Sequence, residues 1–140
     1  MKVLSLFDGM SCGRIALERL NLTIDGYFAS EIDKNAIRVS KANWDDITHI
    51  GDVTKVSYSN GTIHTESGEY FVGKIDLLIG GSPCQDFSIA NTMNSEFSPD
   101  SVGLGGDKSS LFYHYLRILE SVKKENKEVK WLLENVKMRK

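Results

Sequence analysis

An α/β fold, a mostly parallel sheet flanked by helices, is predicted by two features of the chain. Short apolar runs alternate with amphipathic stretches of helical period, the pattern of strands joined by crossover helices. The apolar runs also end on glycine or acidic residues, at Asp8-Gly9, Glu31, Gly51-Asp52, Gly80-Gly81 and Glu134. Open α/β sheets bind their ligands at such carboxyl ends.

Taken in order, Lys2 to Phe7 reads as a buried strand that turns at Asp8-Gly9. A short helix then starts at Ser11 or Cys12, with Ile15, Ala16 and Leu20 expected to face inward. Gly26 to Ile32 is the second strand, and Asp33 is placed to cap a helix running to about Asn43. Thr48 to Ile50 is a short third strand. Asn60-Gly61, between Val56-Ser57-Tyr58 and Thr62-Ile63-His64, signals a hairpin with a type I′ turn. Glu69 to Val72 adds a further strand, so residues 55–73 are expected to form an inserted surface hairpin. Lys74 to Ile79 is a buried strand ending at Gly80-Gly81.

Residues 82–107 are rich in Ser, Asn, Asp and Gly without sustained periodicity, which marks a functional or mobile loop. Ser109 or Ser110 caps a helix whose apolar positions are Leu111, Tyr115, Leu119 and Val122. Val129 to Leu133 is the last strand and runs into Glu134-Asn135-Val136. The chain stops four residues later, so the sheet is expected to be incomplete at its C-terminus.

At 140 residues the chain is one domain at most. No apolar run approaches the ~18 residues of a membrane span, and Asp8-Gly9 ends the opening run too early for a signal peptide. Two cysteines, Cys12 and Cys84, form no disulfide framework, and no Cys/His cluster has zinc spacing. No metal is therefore expected, and the setting is expected to be reducing and cytoplasmic. The net charge of -2 carries no nucleic-acid signature. Residues 108–140 are nevertheless +5 and the remainder -7. A solvated helix face is the plain explanation of the basic end, with polyanion contact as its rival.

Three strand ends converge on one ligand chemistry. The first is the turn Phe7-Asp8-Gly9-Met10-Ser11-Cys12-Gly13, where glycines allow close approach and a helix N-terminus presents free N–H groups. Glu31 lies 22 residues after Gly9, where an acid binds ribose hydroxyls. Asp52 is placed to accept from an adenine amino group. The turn lacks the G-x-G-x-x-G pattern, and Asp8 is unwelcoming to a pyrophosphate. A nucleoside with an amino-acid tail fits better, and S-adenosylmethionine is such a molecule.

Two further residues carry reactivity. Cys84, in Gly80-Gly81-Ser82-Pro83-Cys84-Gln85, sits on a tight turn with no packing purpose, as a nucleophilic thiol would. Cys12 is instead expected to be buried and structural. Glu134, on the same edge, can protonate a ring nitrogen beside an attacking thiolate.

Phe-Asp-Gly, Glu31, Gly-Asp-Val, Pro-Cys-Gln and Glu-Asn-Val follow the order and spacing of the cytosine-C5 DNA methyltransferases, which the whole chain resembles. Gly-Gly-Ser-Pro-Cys is similar to the animal de novo members, and Gln85 to bacterial ones. The resemblance implies a bacterial or phage enzyme with a Rossmann-like, S-adenosylmethionine-dependent methyltransferase fold. It implies that Phe7, Asp8, Gly9 and the backbone through Met10, Ser11 and Gly13 hold the methionine part and stack on adenine, with Gly80 nearby. Glu31 and Ile32 would bind ribose and adenine, and Asp52 and Val53 the adenine edge. Cys84 would attack C6 of a cytosine flipped out of double-stranded DNA while Glu134 donates to N3. Ser82, Pro83, Gln85, Asn135 and Val136 would line the base. The target-recognition region and the segment that closes the cofactor pocket are absent, so a second chain or segment is the expected partner for them. The alternatives are a non-catalytic cofactor-binding or docking half-protein, and an RNA cytosine methyltransferase.

Overall fold

A computed structural model describes residues 1–81 and 110–134. In chain order its elements are β1 (Lys2–Leu6), α1 (Cys12–Arg19), β2 (Gly26–Ser30), α2 (Lys34–Asn43) and β3 (Ile47–His49). A 3-10 turn (Val53–Lys55), β4 (Ser57–Ser59), β5 (Thr62–Thr65), β6 (Gly68–Phe71), β7 (Leu77–Gly81), α3 (Ser110–Glu125) and β8 (Lys130–Glu134) follow. Five strands form a parallel sheet in the order β3-β2-β1-β7-β8, and β4-β5-β6 form a separate antiparallel sheet. The α/β class is as the sequence predicted. No helix among the described residues is long and apolar enough to cross a membrane.

The central strand explains the apolar runs. Val3, Leu4 and Leu6 of β1 are fully buried, because β1 is covered on both faces. Leu4, Leu6 and Leu78 point towards α3, where Tyr115, Ile118, Leu119 and Val122 close one core. Val3, Tyr27, Ala29 and Ile47 point towards α1 and meet Leu17 in a second, smaller core. The spacing that predicted α3 therefore identified its inward face, to which the structure adds Ile118.

On α1 the expected face was wrong. Leu17 is buried and Ile15 half-buried, whereas Ala16 is exposed and Leu20 is 67% exposed. Its other inward contact is Gly13, which has no side chain to register as apolar. A Cβ on Gly13 would meet Ile79 Cδ1 and the Tyr27 hydroxyl. Cys12, expected to be buried, is exposed for the same reason, since the helix is turned the other way.

The insert of residues 55–73 is not a surface appendage. Its turn is as predicted, with Asn60 at φ 51° and Gly61 at φ 68°, the paired positive values of a type I′ turn. But Val56, Tyr58, Ile63 and Val72 are buried against α3. The small sheet covers part of the main core where a helix would otherwise pack. Glu125, at the end of α3, accepts hydrogen bonds from the amides of both Asn60 and Gly61, and Arg117 donates to the Val56 carbonyl at 2.8 Å.

The Asp33 cap is also present. One carboxylate oxygen accepts from the amides of Asn35 and Ala36 at 2.7 and 2.9 Å, which holds its carboxyl below the usual range. The caps expected at Ser109 or Ser110 lie outside the described side chains.

Candidate functional site

The carboxyl edge of β1, β2 and β3 carries a cavity of about 130 Å³. It is lined by Phe7, Ser30, Glu31, Ile32, Asp52, Val53 and Leu111. Five of these were expected from the sequence at three separate strand ends, and the fold brings them together. Ser30 and Leu111 were missed. The volume is below the ~300 Å³ of a site that encloses a whole small ligand, so the cavity matches one ring of a larger molecule. A wider cavity of about 510 Å³ lies at the opposite, amino edge, beside Met1, Asp76 and Lys130, away from the ligand-binding edge of an α/β sheet.

The chain is strained where it enters this cavity. Phe7 leaves β1 with φ 57°, a left-handed conformation that a bulky side chain adopts at a cost of about 1–3 kcal/mol. Ser11 is left-handed too, at φ 65°. The turn between them is tied down by the Asp8 amide, which donates to the Ser30 carbonyl at 3.0 Å, and by the Gly9 amide, which donates to Glu31 at 2.8 Å.

Glu31 therefore has a structural task. One oxygen accepts from Gly9, and the other accepts from the amides of Ile32 and Asp33, both at 2.8 Å. A carboxylate has about four acceptor sites, so a ribose hydroxyl would share Glu31 with this backbone. Ile32, 70% exposed on the cavity rim, offers an uncovered apolar surface to a flat ring. Asp52 caps the 3-10 turn through Oδ1, which accepts from the Thr54 amide at 2.9 Å. Val53 is buried and lines the cavity beside it.

The Asp8 and Ser11 side chains bond to each other and to buried neighbours, and neither residue is among those lining the cavity. Asp8 Oδ1 accepts from Ser5 at 2.6 Å and from Tyr27 at 2.7 Å, and Oδ2 accepts from Ser11 at 2.5 Å. Ser5, Ser11 and Tyr27 are all buried. Burial, then the Asp8 charge, pushes the Tyr27 phenol upward, so it stays a donor. Met10 is exposed. Gly80 also has a packing role, because a Cβ there would stand 2.8 Å from the Leu6 carbonyl and 3.0 Å from the Tyr115 ring.

Glu134 ends β8 in register with Gly81 of β7. Its side chain is exposed at the same carboxyl edge as the cavity. Cys84, Ser82, Pro83, Gln85, Asn135 and Val136 lie outside the described residues, as does the loop 82–107. Gly81 and Glu134 are the described residues that lead into both segments.

Comparison with known proteins gives one consistent relationship. The family model for C-5 cytosine-specific DNA methylase matches residues 1–139. The chain is 37% identical over 127 residues to DNA (cytosine-5)-methyltransferase DRM2 of Arabidopsis thaliana, covering 88% of this chain and 19% of that protein. It is 34% identical over 136 residues to type II methyltransferase M1.ScrFI of Lactococcus lactis subsp. cremoris, covering 97% of this chain and 28% of that protein. The solved structure of the Schizosaccharomyces pombe Dnmt2 methyltransferase superposes with a TM-score of 0.59 at 18% identity, over 98% of this chain and 35% of that one. The chain thus spans about a fifth of the DRM2 length.

Proposed function

Because the chain belongs to the C-5 cytosine-specific DNA methylase family, we propose that it carries the cofactor pocket and catalytic pair of a DNA cytosine-C5 methyltransferase. The observation that carries this reading is the gathering of Phe7, Glu31, Ile32, Asp52 and Val53 around one cavity. That cavity shares its sheet edge with Glu134. The half-domain expected from the sequence remains part of the proposal. Target recognition and pocket closure would come from sequence outside these 140 residues, as the short coverage of the relatives supports.

The residues fit S-adenosylmethionine. Phe7, Ile32 and Leu111 give the cavity apolar walls, and Glu31 and Asp52 give it acceptors on the rim. Adenosine, an apolar ring edged by N–H and O–H donors, complements that set. The Gly9 to Gly13 turn would hold the amino-acid tail through backbone groups. S-adenosylmethionine supplies the methyl group that cytosine C5 accepts.

The other steps belong to the protein. The Cys84 thiolate forms a bond to C6 of a flipped cytosine, and the C5–C6 π pair moves towards C5. Glu134 donates a proton to N3 and so neutralises the charge that the attack creates on the ring. Loss of the C5 proton then returns an electron pair to the ring and expels the thiolate, and N3 gives its proton back to Glu134. Ser82, Pro83, Gln85, Asn135 and Val136 would surround the base. Double-stranded DNA is the substrate in this reading, and a cytoplasmic, bacterial or phage-encoded setting is part of it. The lactococcal relative supports that setting.

A covalent trap tests the proposal. The protein that carries these residues is incubated with S-adenosylmethionine and duplex DNA containing 5-fluorocytosine, which cannot lose a C5 proton. A DNA adduct that resists denaturing electrophoresis is expected, and Cys84→Ser should abolish it. An adduct that survives the substitution overturns the nucleophile assignment.

A further inference from the structure

We infer that Asp8 is a positioning residue, the terminus of an oriented hydrogen-bond chain that holds the cofactor turn in its strained shape. This rests on the proposed cofactor site and adds to it the device that shapes it.

The order of the chain follows from donor and acceptor chemistry. As a carboxylate, Asp8 accepts and cannot donate. Ser11 therefore donates its single hydroxyl proton to Asp8 Oδ2, at 2.5 Å. Ser11 Oγ also lies 2.6 Å from Ser40 Oγ, so at that contact Ser40 must be the donor. Ser40 has then spent its proton. Its remaining neighbour is His49 Nε2 at 3.4 Å, towards which only an N–H is favourable. His49 is thus fixed as the Nε2–H tautomer. Its other ring nitrogen, Nδ1, is buried and has no partner among the described residues. A bare acceptor nitrogen tolerates that position better than a buried N–H would.

The chain is buried where it matters, since Ser11 and Ser40 are fully enclosed. It also joins the parts that carry the ligand. Asp8 and Ser11 flank the turn after β1, Ser40 sits on α2, and His49 ends β3 just before Gly51-Asp52. Ser5 and Tyr27 anchor the other carboxylate oxygen in β1 and β2. The left-handed Ser11 is what aims its hydroxyl into this chain. Without that anchor, the turn from Phe7 to Ser11 has less reason to keep two non-glycine residues at positive φ.

Two measurements on the protein that carries these residues together with the segment closing the pocket test the inference. Nitrogen-15 NMR of the imidazole should show the Nε2–H tautomer at neutral pH. Asp8→Asn turns an acceptor into a donor facing Ser11, so the Nε2–H preference should be lost. Ser40→Ala, a gentler change, should remove it as well. S-adenosylhomocysteine binding, followed by calorimetry, should weaken about tenfold in Asp8→Asn, the effect of one hydrogen bond to a charged group. Glu31→Gln separates the two readings. Loss of binding in Glu31→Gln with wild-type binding in Asp8→Asn overturns the positioning role and leaves the cofactor site standing. A wild-type protein, closing segment included, that shows the Nε2–H tautomer but ignores the ligand overturns the cofactor site instead. An Nδ1–H tautomer in the wild type overturns the oriented chain outright.

Discussion

Gly81 and Glu134 face each other across β7 and β8, and a Cβ on Gly81 would stand 2.9 Å from Glu134 Oε2. The absent side chain is the room the carboxylate occupies. Gly81→Ala should displace Glu134 without disturbing the distant cavity at β1 to β3. In the adduct assay we expect a rate loss within the about 100- to 10,000-fold that general acid catalysis supplies. S-adenosylhomocysteine affinity should stay at the wild-type value. A variant that loses affinity and rate together would refute this division of labour.

Gly80, one residue earlier, should behave differently. A Cβ there meets the Leu6 carbonyl, which is backbone within the central strand and cannot swing away. Gly80→Ala should therefore lower stability by about 1–3 kcal/mol, the usual cost of overpacking. Urea denaturation with an unchanged m-value is the check.

Stability should also fall in mild acid through His49. Burial, then the Lys41 charge, lowers its pKa, while the Asp8 charge opposes the shift. A histidine with a lowered folded-state pKa binds its proton more readily when unfolded. Its contribution is then complete above the unfolded value of about 6.5 and is lost as pH drops below it. Urea midpoints measured at several pH values between 5 and 7.5 should decline towards acid, and His49→Gln should flatten the curve in that window.

Glu125 should matter more than an ordinary surface acid. It accepts from two adjacent turn amides, at Asn60 and Gly61, that have no other described partner in the antiparallel ladder. Glu125→Ala should cost about 1.5–3 kcal/mol, the range for hydrogen bonds to a charged group. Amide hydrogen exchange at Asn60 and Gly61 should accelerate in the variant, whereas exchange in β1 should follow only the global change.

The strands, the three helices and the meeting of Phe7, Glu31 and Asp52 at one sheet edge were legible because each depends on local pattern plus one topological rule. Ile32 and Val53 were expected only from the family resemblance. What was not legible depends on contacts across the fold. The Asp8 chain draws on Ser5, Ser11, Tyr27, Ser40 and His49, which no linear period relates. A serine inside the apolar run Lys-Val-Leu-Ser-Leu-Phe was the one available hint of a buried polar centre. The α1 face was misread because glycine makes its closest contact. The insert looked superficial because Ser-Tyr-Ser and Thr-Ile-His alternate, and alternation says that one face is covered without saying by what.

The insert also bears on how the chain assembles in time. β1 must pair with β7 from more than seventy residues away, a closure that slows folding in parallel sheets. The meander β4-β5-β6 forms from near neighbours and takes up residues 57–71 of that intervening length. In the folded protein its far end is held to the start of β1, where the Lys2 ammonium donates to the Val72 carbonyl and the Lys2 amide to Asp76. An early meander therefore shortens the loop left to close. Truncating Ile63 would then act on the refolding rate rather than the unfolding rate, making the small sheet a timing element for the large one.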